Sequence, residues 1–453
     1  MKAEKKNQEY KPYQWFYNKE VSGSVLLLLA AVSAAFLANS RFHEMYEHLL
    51  HLDISFYFGT FSYNSTLQHF INDGLMALFF FTVGLEIKRE ILVGELATPK
   101  MTLLPLFAAA GGMIVPGLIY VAFNYGKPGI AGWGIPVATD IAFSLGVIAI
   151  LGRHLPIGLR IFLSTFAIAD DLGAVIVIAV FYTESIAVNF LVASLICALI
   201  LFIANLLYVR LIAFYVVMGI ITWACVLGSG VHATIAGVVV AMLVPARGKY
   251  DMVRFISVVR HIVGKMHTSR EIDGHWFSIF IKPEHLNNVQ ELATACHDVA
   301  TPLQRMEHAL LPSVIFGILP LFAFFNAGLS FQNMPVTAAV FNPVTLGCFI
   351  GLLAGKPIGI SLASYLAVRS GVATLPINVR WNHILGAGML GGIGFTMSLF
   401  ISGLSFTDTY LLNCSKLGVF SGSILSALAG LAFLGFFVYR DRRVYEEIRP
   451  PAN

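Results

Sequence analysis

LRIFLSTFAIADDLGAVIVIAVFY, residues Leu159–Tyr182, is too apolar to sit anywhere but across a membrane, yet it carries two adjacent acids, Asp170 and Asp171, at its centre. It holds no other acidic residue. A charged side chain in the middle of a spanning helix costs roughly 2.5–3.5 kcal/mol on insertion scales, so two in a row must serve something. Intramembrane carboxylates of this kind mark proton or cation paths. Neighbours on a helix point about 100° apart. One aspartate can therefore face a cavity while the other turns toward a partner such as Lys356.

The rest of the chain has the composition of a membrane protein. Of 453 residues, 57% are hydrophobic and 12% charged, against about 25% charged in an ordinary soluble domain. Runs of about 20 apolar residues predict twelve spans, near residues 21–39, 68–87, 102–123, 133–151, 158–182, 186–205, 209–226, 230–245, 309–329, 340–367, 384–402 and 417–438. The expected fold is an all-α polytopic membrane protein in the lipid bilayer. Its expected organisation is an N-terminal segment (1–20), helices one to eight (21–245), an insert (246–306), helices nine to twelve (307–440) and a tail (441–453). No small-residue cleavage site follows the first apolar run, so it reads as a retained helix and not a removed signal peptide.

Charge sets the orientation. Nearly all of the 29 Lys and Arg fall at the termini and in even-numbered loops; Arg41, Lys127 and Lys416 are assigned to odd-numbered loops, and Lys356 to the interior of a span. The positive-inside rule then puts both ends, the insert and the tail in the cytoplasm. The net charge of +4 reports topology and gives no argument for nucleic-acid binding. Five cysteines (Cys197, Cys225, Cys296, Cys348, Cys414) lack metal or redox-motif spacing and read mostly as small buried hydrophobes.

Two soluble features interrupt the spans. DISFYFGTFSYN (Asp53–Asn64) alternates Ile54, Phe56 and Phe58 before Gly59-Thr60, a short β-hairpin signal on the outer face. Two readings stand for it: an aromatic loop in the membrane interface, or an edge strand for a second copy in a homodimer. The insert carries two amphipathic patterns, Met252–Met266 and Val289–Met306, at helical spacing. The second is expected to run on into the ninth span. The insert's histidines, His261, His267, His275, His285 and His297, lack a clean metal-ligand spacing. They suit a solvated regulatory or docking subdomain better than a metal site.

Two spans are broken. GIAGWGIPVATDIAFSLG (Gly129–Gly146) places Pro136 and its glycines just before Thr139-Asp140, and LGAGMLGGIGFTMSLFISG (Leu385–Gly403) has Gly391, Gly392 and Gly394 at its middle. A short echo links them, DIAFSL at 140–145 against GFTMSL at 394–399; six residues can agree by chance, so the breaks carry the argument. Unwound backbone at membrane depth is tolerated only where protein buries it or water reaches it. Interrupted spans in corresponding halves point to a transporter's binding site.

Asp140, Asp170, Asp171 and Lys356 are the deep ionisable residues. Inserting four charges costs on the order of 10 kcal/mol before any pairing. Carboxylates removed from water and placed side by side resist ionising together. Such a pair holds protons and gives them up when a cation arrives. Sodium is hard, so carboxylates, the Thr139 hydroxyl and carbonyls freed by unwinding suit it. A bland reading stands beside this one, in which the charges form structural ion pairs, Lys356 neutralises broken helix ends and Asp140 opposes positive half-helix N-termini. Intramembrane aspartyl proteolysis needs acids on separate helices, one in a GxGD setting, and no such motif occurs.

The motifs PVATDIAFSLG, FAIADDLGAVIVIA, SGVHATIAG (Ser229–Gly237), LPLFAFFNAG (Leu319–Gly328), LLAGKPIGIS (Leu352–Ser361), GIGFTMSLFI and INDGLMALFFFTVGLEIKREI (Ile71–Ile91) resemble the NhaA-type bacterial sodium/proton antiporters, in order and spacing over about 21–245 and 307–440. That family is one of the inverted-repeat transporters in which helix breaks of this kind are already known. The resemblance implies inverted repeats whose discontinuous fourth and eleventh helices cross at mid-membrane. It assigns Asp170 and Asp171 to ion and proton binding, beside the Thr139 hydroxyl already read as a suitable sodium ligand, and Asp140 and Lys356 to the charges of the half-helix ends. Lys356 would also join proton exchange by pairing with Asp170. It implies electrogenic export of sodium or lithium against more than one proton in the bacterial inner membrane, activation at alkaline pH, and no cofactor or enzyme activity. Glu86, Arg89, Glu90, Glu307 and His232 map to the pH response; for the first three, ordinary helix-end pairing is the competing reading, and for His232 a structural one. Asp73 takes an entrance or packing position. The insert exceeds the family's usual connection. A proton-coupled carrier of another cation or organic solute, and a passive channel with the aspartates as filter, remain the alternatives.

Overall fold

The computed structural model describes residues 19–58, 61–94, 99–151, 155–183, 187–248, 252–268, 283–331 and 335–448. Among them eight helices are long and apolar enough to cross a membrane: Val21–Ala38, Leu67–Val93, Thr102–Asn124, Ile157–Phe181, Val188–Leu206, Pro302–Asn326, Pro343–Arg369 and Thr409–Phe437. Two further pairs are bent at a break, Pro128–Val137 with Ile141–Ala149 by 41° and Trp381–Gly391 with Phe395–Ser405 by 45°. Two shorter apolar helices are Ile212–Gly228 and Thr234–Leu243. Large apolar side chains such as Leu118, Leu195 and Val217 stand exposed on their flanks, the arrangement a bilayer requires and water penalises. The molecule is a mostly helical polytopic membrane protein.

Each break has a local cause. The first half of the first pair, Pro128–Val137, is a 3₁₀ helix holding Pro136, and residues 138–140 leave helical geometry before Ile141. The second pair parts at Gly392–Gly394, where glycines flank Ile393 and lower the cost of leaving the helix. Three spans also widen by one π turn, at Ile71–Leu75, Val314–Ile318 and Gly351–Gly355. Pro320 and Pro357 follow the last two within two residues; a proline lacks the N–H and collides with the preceding turn, and the wider turn absorbs that. The first π turn has no proline, but Trp223 Nε1 donates to the Asp73 carbonyl at 3.1 Å.

The Gly351–Gly355 turn lifts Lys356 into the core, and a close crossing fixes it there. A Cβ on Gly359 would lie 2.2 Å from the Gly111 carbonyl oxygen, and one on Gly111 would lie 2.3 Å from that of Gly359. The Lys356 helix thus packs backbone to backbone on Pro99–Asn124, three residues past the lysine.

Strands Asp53–Phe58 and Phe61–Thr66 pair antiparallel, from Asp53 opposite Thr66 to Phe58 opposite Phe61. Gly59 and Thr60 themselves lie outside the described residues. In the insert, Met252–Thr268 and Pro283–Val299 pack on each other. The second pattern does not continue into the ninth span. Thr301 stops it with a reciprocal cap: Gln304 N donates to Thr301 Oγ1 at 3.1 Å, and Thr301 N to Gln304 Oε1 at 3.3 Å. Pro302 at the next position starts a separate helix, as a proline at the first helical turn does. His261 lines the groove between the insert helices. His275 and the side chains of His267, His285 and His297 lie outside the described residues.

Lys416 also departs from expectation. It is no loop residue: the last helix starts at Thr409, and Lys416 sits buried on it, donating to the Gly328 carbonyl at 2.9 Å. The apolar run by itself places the start of this span at 417. Here the carbonyl after the Leu319–Asn326 helix satisfies it.

Candidate functional site

The two breaks meet, and main-chain and side-chain hydrogen bonds between them hold backbone groups that they expose. The Asp140 N–H donates to the Ile393 carbonyl at 2.7 Å, the Thr139 hydroxyl to Gly391 at 2.8 Å and the Ser144 hydroxyl to Leu390 at 3.0 Å. These three donors cover the carbonyl end of Trp381–Gly391. In return the Ser398 hydroxyl donates to the Ile135 carbonyl of the first pair at 2.7 Å. Ser144 and Ser398 hold the same place in the short echo, so the echo has a physical meaning: each strand of the crossing sends one serine to the other's first half.

The amino ends are covered as well. Asp140 Oδ1 accepts from Phe143 N at 3.0 Å, and its Oδ2 accepts from Thr396 N at 3.1 Å and from the Thr396 hydroxyl. Gly394 N and Phe395 N each donate to Ser423 Oγ at 3.2 Å. A helix end carries about half an elementary charge, so one buried carboxylate here faces two positive ends at once.

Lys356 and the aspartate pair occupy the centre. Lys356 is fully buried (0% exposed). Its Nζ lies 2.8 Å from Asp170 Oδ2 and donates to Thr139 Oγ1 at 2.8 Å, with the Phe166 ring centroid 5.9 Å away. Thr139 therefore gives its proton to Gly391 and one lone pair to Lys356. Asp171 turns elsewhere. It lines a cavity of about 200 Å³ together with Asp140, Thr396, Thr82 and Glu86. One oxygen of each aspartate, Asp170 Oδ1 and Asp171 Oδ2, is buried without a hydrogen-bond partner. Unpaired carboxylate oxygens at this depth cost free energy unless a proton or a cation meets them. They fit a small hard cation.

Four more sequence candidates form one group that meets that cavity through Glu86. Arg89 reaches Glu307 Oε1 at 2.9 Å, Glu90 Oε1 at 2.9 Å and Glu86 Oε1 at 4.0 Å. Glu307 is buried, and its second oxygen has no partner. Glu86 belongs both to this group and to the cavity wall. His232 is not among them. Its Nε2 meets the carbonyl of Tyr182, at the end of the aspartate helix, and it faces Asp73 electrostatically. Sequence reading missed Thr396, Ser144, Ser398 and Ser423. The repeated serine of the echo was the available signal for two of them; nothing in the chain marks Ser423.

A model of the family described as "Na+/H+ antiporter 1" matches residues 14–434. The chain belongs to that family. It is 45% identical over 423 residues to Na(+)/H(+) antiporter NhaA 2 of Syntrophotalea carbinolica, covering 93% of this chain and 96% of the relative. It is 42% identical over 441 residues to Na(+)/H(+) antiporter NhaA 1 of Clostridium beijerinckii, covering 97% and 99%. A sodium proton antiporter structure from Methanocaldococcus jannaschii covers 94% of this chain and 97% of its own at TM-score 0.47 and 12% identity.

Proposed function

We propose that this sodium/proton antiporter works by competition at Asp170 and Asp171, with Lys356 as the charge that Asp170 holds when no sodium is bound. One observation carries this: of two adjacent carboxylates on one helix, Asp170 is locked to a buried ammonium while Asp171 borders a cavity. A sodium ion entering that cavity meets Asp171 and draws Asp170 from Lys356. Thr139, released from Lys356 by the same step, then has a lone pair to offer. The carboxylates cannot hold protons and the ion together, so binding one expels the other. Lithium, equally hard, suits the same oxygens.

Because more than one proton is exchanged per ion, charge crosses the membrane and the potential contributes about 2.3 kcal/mol per charge per 100 mV. Asp140 compensates the two amino ends throughout. Glu86 lines the cavity and is joined through Arg89 to Glu90 and Glu307, and the protonation of this group would set alkaline activation; His232 acts from elsewhere, through Tyr182. Counting each bent pair once, the apolar helices form twelve spans in a bacterial inner membrane. Basic loops keep both termini and the insert cytoplasmic, leaving the hairpin outside as an edge for a second copy.

Sodium-driven proton movement in everted membrane vesicles, with potassium as control, tests the reading. Sodium and lithium should each discharge an imposed acid interior, more strongly as pH rises, and Asp171→Asn should not respond. A response to potassium as large as to sodium, or none at any pH, would reject it.

A further inference from the structure

The last helix, Thr409–Ile448, reaches the crossing through two buried serines one turn apart. Ser423 Oγ accepts from Gly394 N and Phe395 N, each at 3.2 Å. The Ser426 hydroxyl donates to the Leu352 carbonyl at 3.4 Å, inside the π turn that carries Lys356. The two broken pairs differ in what they supply for themselves. In the first, Asp140 caps its own half-helix through Phe143 N. The matching position in the second is Gly394, which has no side chain and no room for one: a Cβ there would lie 2.2 Å from Ser398 Oγ and 3.1 Å from the Ala138 carbonyl. The acceptor has to come from another helix.

We propose that Ser423 is a positioning residue of the transport site, capping the Phe395–Ser405 half-helix from the last span and so limiting the positive potential that this helix end presents to Asp140 and Asp171. Serine is among the preferred capping residues, and two amides on one hydroxyl leave Asp140 Oδ2 to Thr396 alone. Without that hydroxyl, Gly394 N and Phe395 N either compete for Asp140 or stay unpaired. In both cases more of the helix-end charge reaches the cavity that Asp140, Thr396 and Asp171 share. Extra positive potential there opposes a cation and favours ionised carboxylates. Sodium then binds more weakly, and protons leave the site at lower pH.

This rests on Asp171 as a sodium ligand, and the test separates the two ideas. Sodium-dependent exchange is measured in proteoliposomes for the wild type, Ser423→Ala, Ser423→Thr and Ser423→Cys. Ser423→Ala should raise the KM for sodium about threefold to tenfold, move the pH profile to the acid side and leave the maximal rate within about twofold. Ser423→Thr keeps the hydroxyl and should restore wild-type values. Ser423→Cys keeps the volume with a weak acceptor and should follow alanine, which serves also if the alanine protein does not accumulate. Alanine and cysteine variants with wild-type KM and pH profile, differing only in melting temperature, would overturn the inference and leave the exchange reading intact. A wild type with no sodium-dependent exchange would instead overturn that reading and this inference with it.

Discussion

Asp170 and Asp171 are neighbours in sequence with opposite structural duties, and their neutral variants should differ accordingly. Asp170→Asn leaves the Lys356 ammonium, 0% exposed, without its 2.8 Å partner. Breaking a buried pair by removing one member costs about 3–5 kcal/mol. Asp171→Asn breaks no such pair; its Oδ2 already lacks a partner. Exchange should fall to background in Asp171→Asn and nearly as far in Asp170→Asn. Thermal unfolding in detergent should be clearly lowered for Asp170→Asn and unchanged or raised for Asp171→Asn. Equal melting temperatures would contradict the division of roles. The division itself was legible from the 100° offset of adjacent helical residues; the Thr139 bridge between Lys356 and Gly391 was not, because no spacing rule joins residues 139, 356 and 391.

Among the elements, the pair of broken spans was readable from Pro136 and the Gly391-Gly392-Gly394 run, while the π turns were not. A widened turn leaves hydrophobic periodicity almost unchanged, and only Pro320 and Pro357 hinted at two of them. The Lys356 helix makes the clearest prediction at this scale. Gly359→Ala puts a Cβ 2.2 Å from the Gly111 carbonyl oxygen, and overpacking of this kind costs typically about 1–3 kcal/mol. Exchange should drop sharply together with melting temperature, whereas Gly403→Ala, with nothing within 4 Å, should alter neither. A Gly359→Ala protein with full activity would show that the crossing does not position Lys356. At the ninth span, Thr301→Ala removes the hydroxyl that accepts from Gln304 N at the start of the Glu307 helix, leaves the main-chain donor to Gln304 in place, and should lower stability by about 1 kcal/mol in reversible unfolding.

For the molecule as a whole, composition and the apolar runs made the membrane fold plain, and the order of seven motifs made the family plain. What stayed hidden was tertiary: Lys416 drawn into a helix by Gly328, and Ser423 serving a helix it does not belong to. Both depend on a carbonyl or an amide left over elsewhere in the chain, which no local pattern announces. The proposed competition between sodium and protons would also be a property of the whole molecule. If one proton competes with the ion, the sodium dissociation constant should rise about tenfold for each pH unit lowered through the titrating range. Calorimetric titration of the purified protein with sodium, repeated in buffers of different ionisation enthalpy, counts the protons directly. At least one proton should leave for every sodium bound by the wild type, and none in Asp171→Asn, which should bind no sodium. Sodium binding with no proton release, at any pH where exchange runs, would contradict the shared carboxylate site.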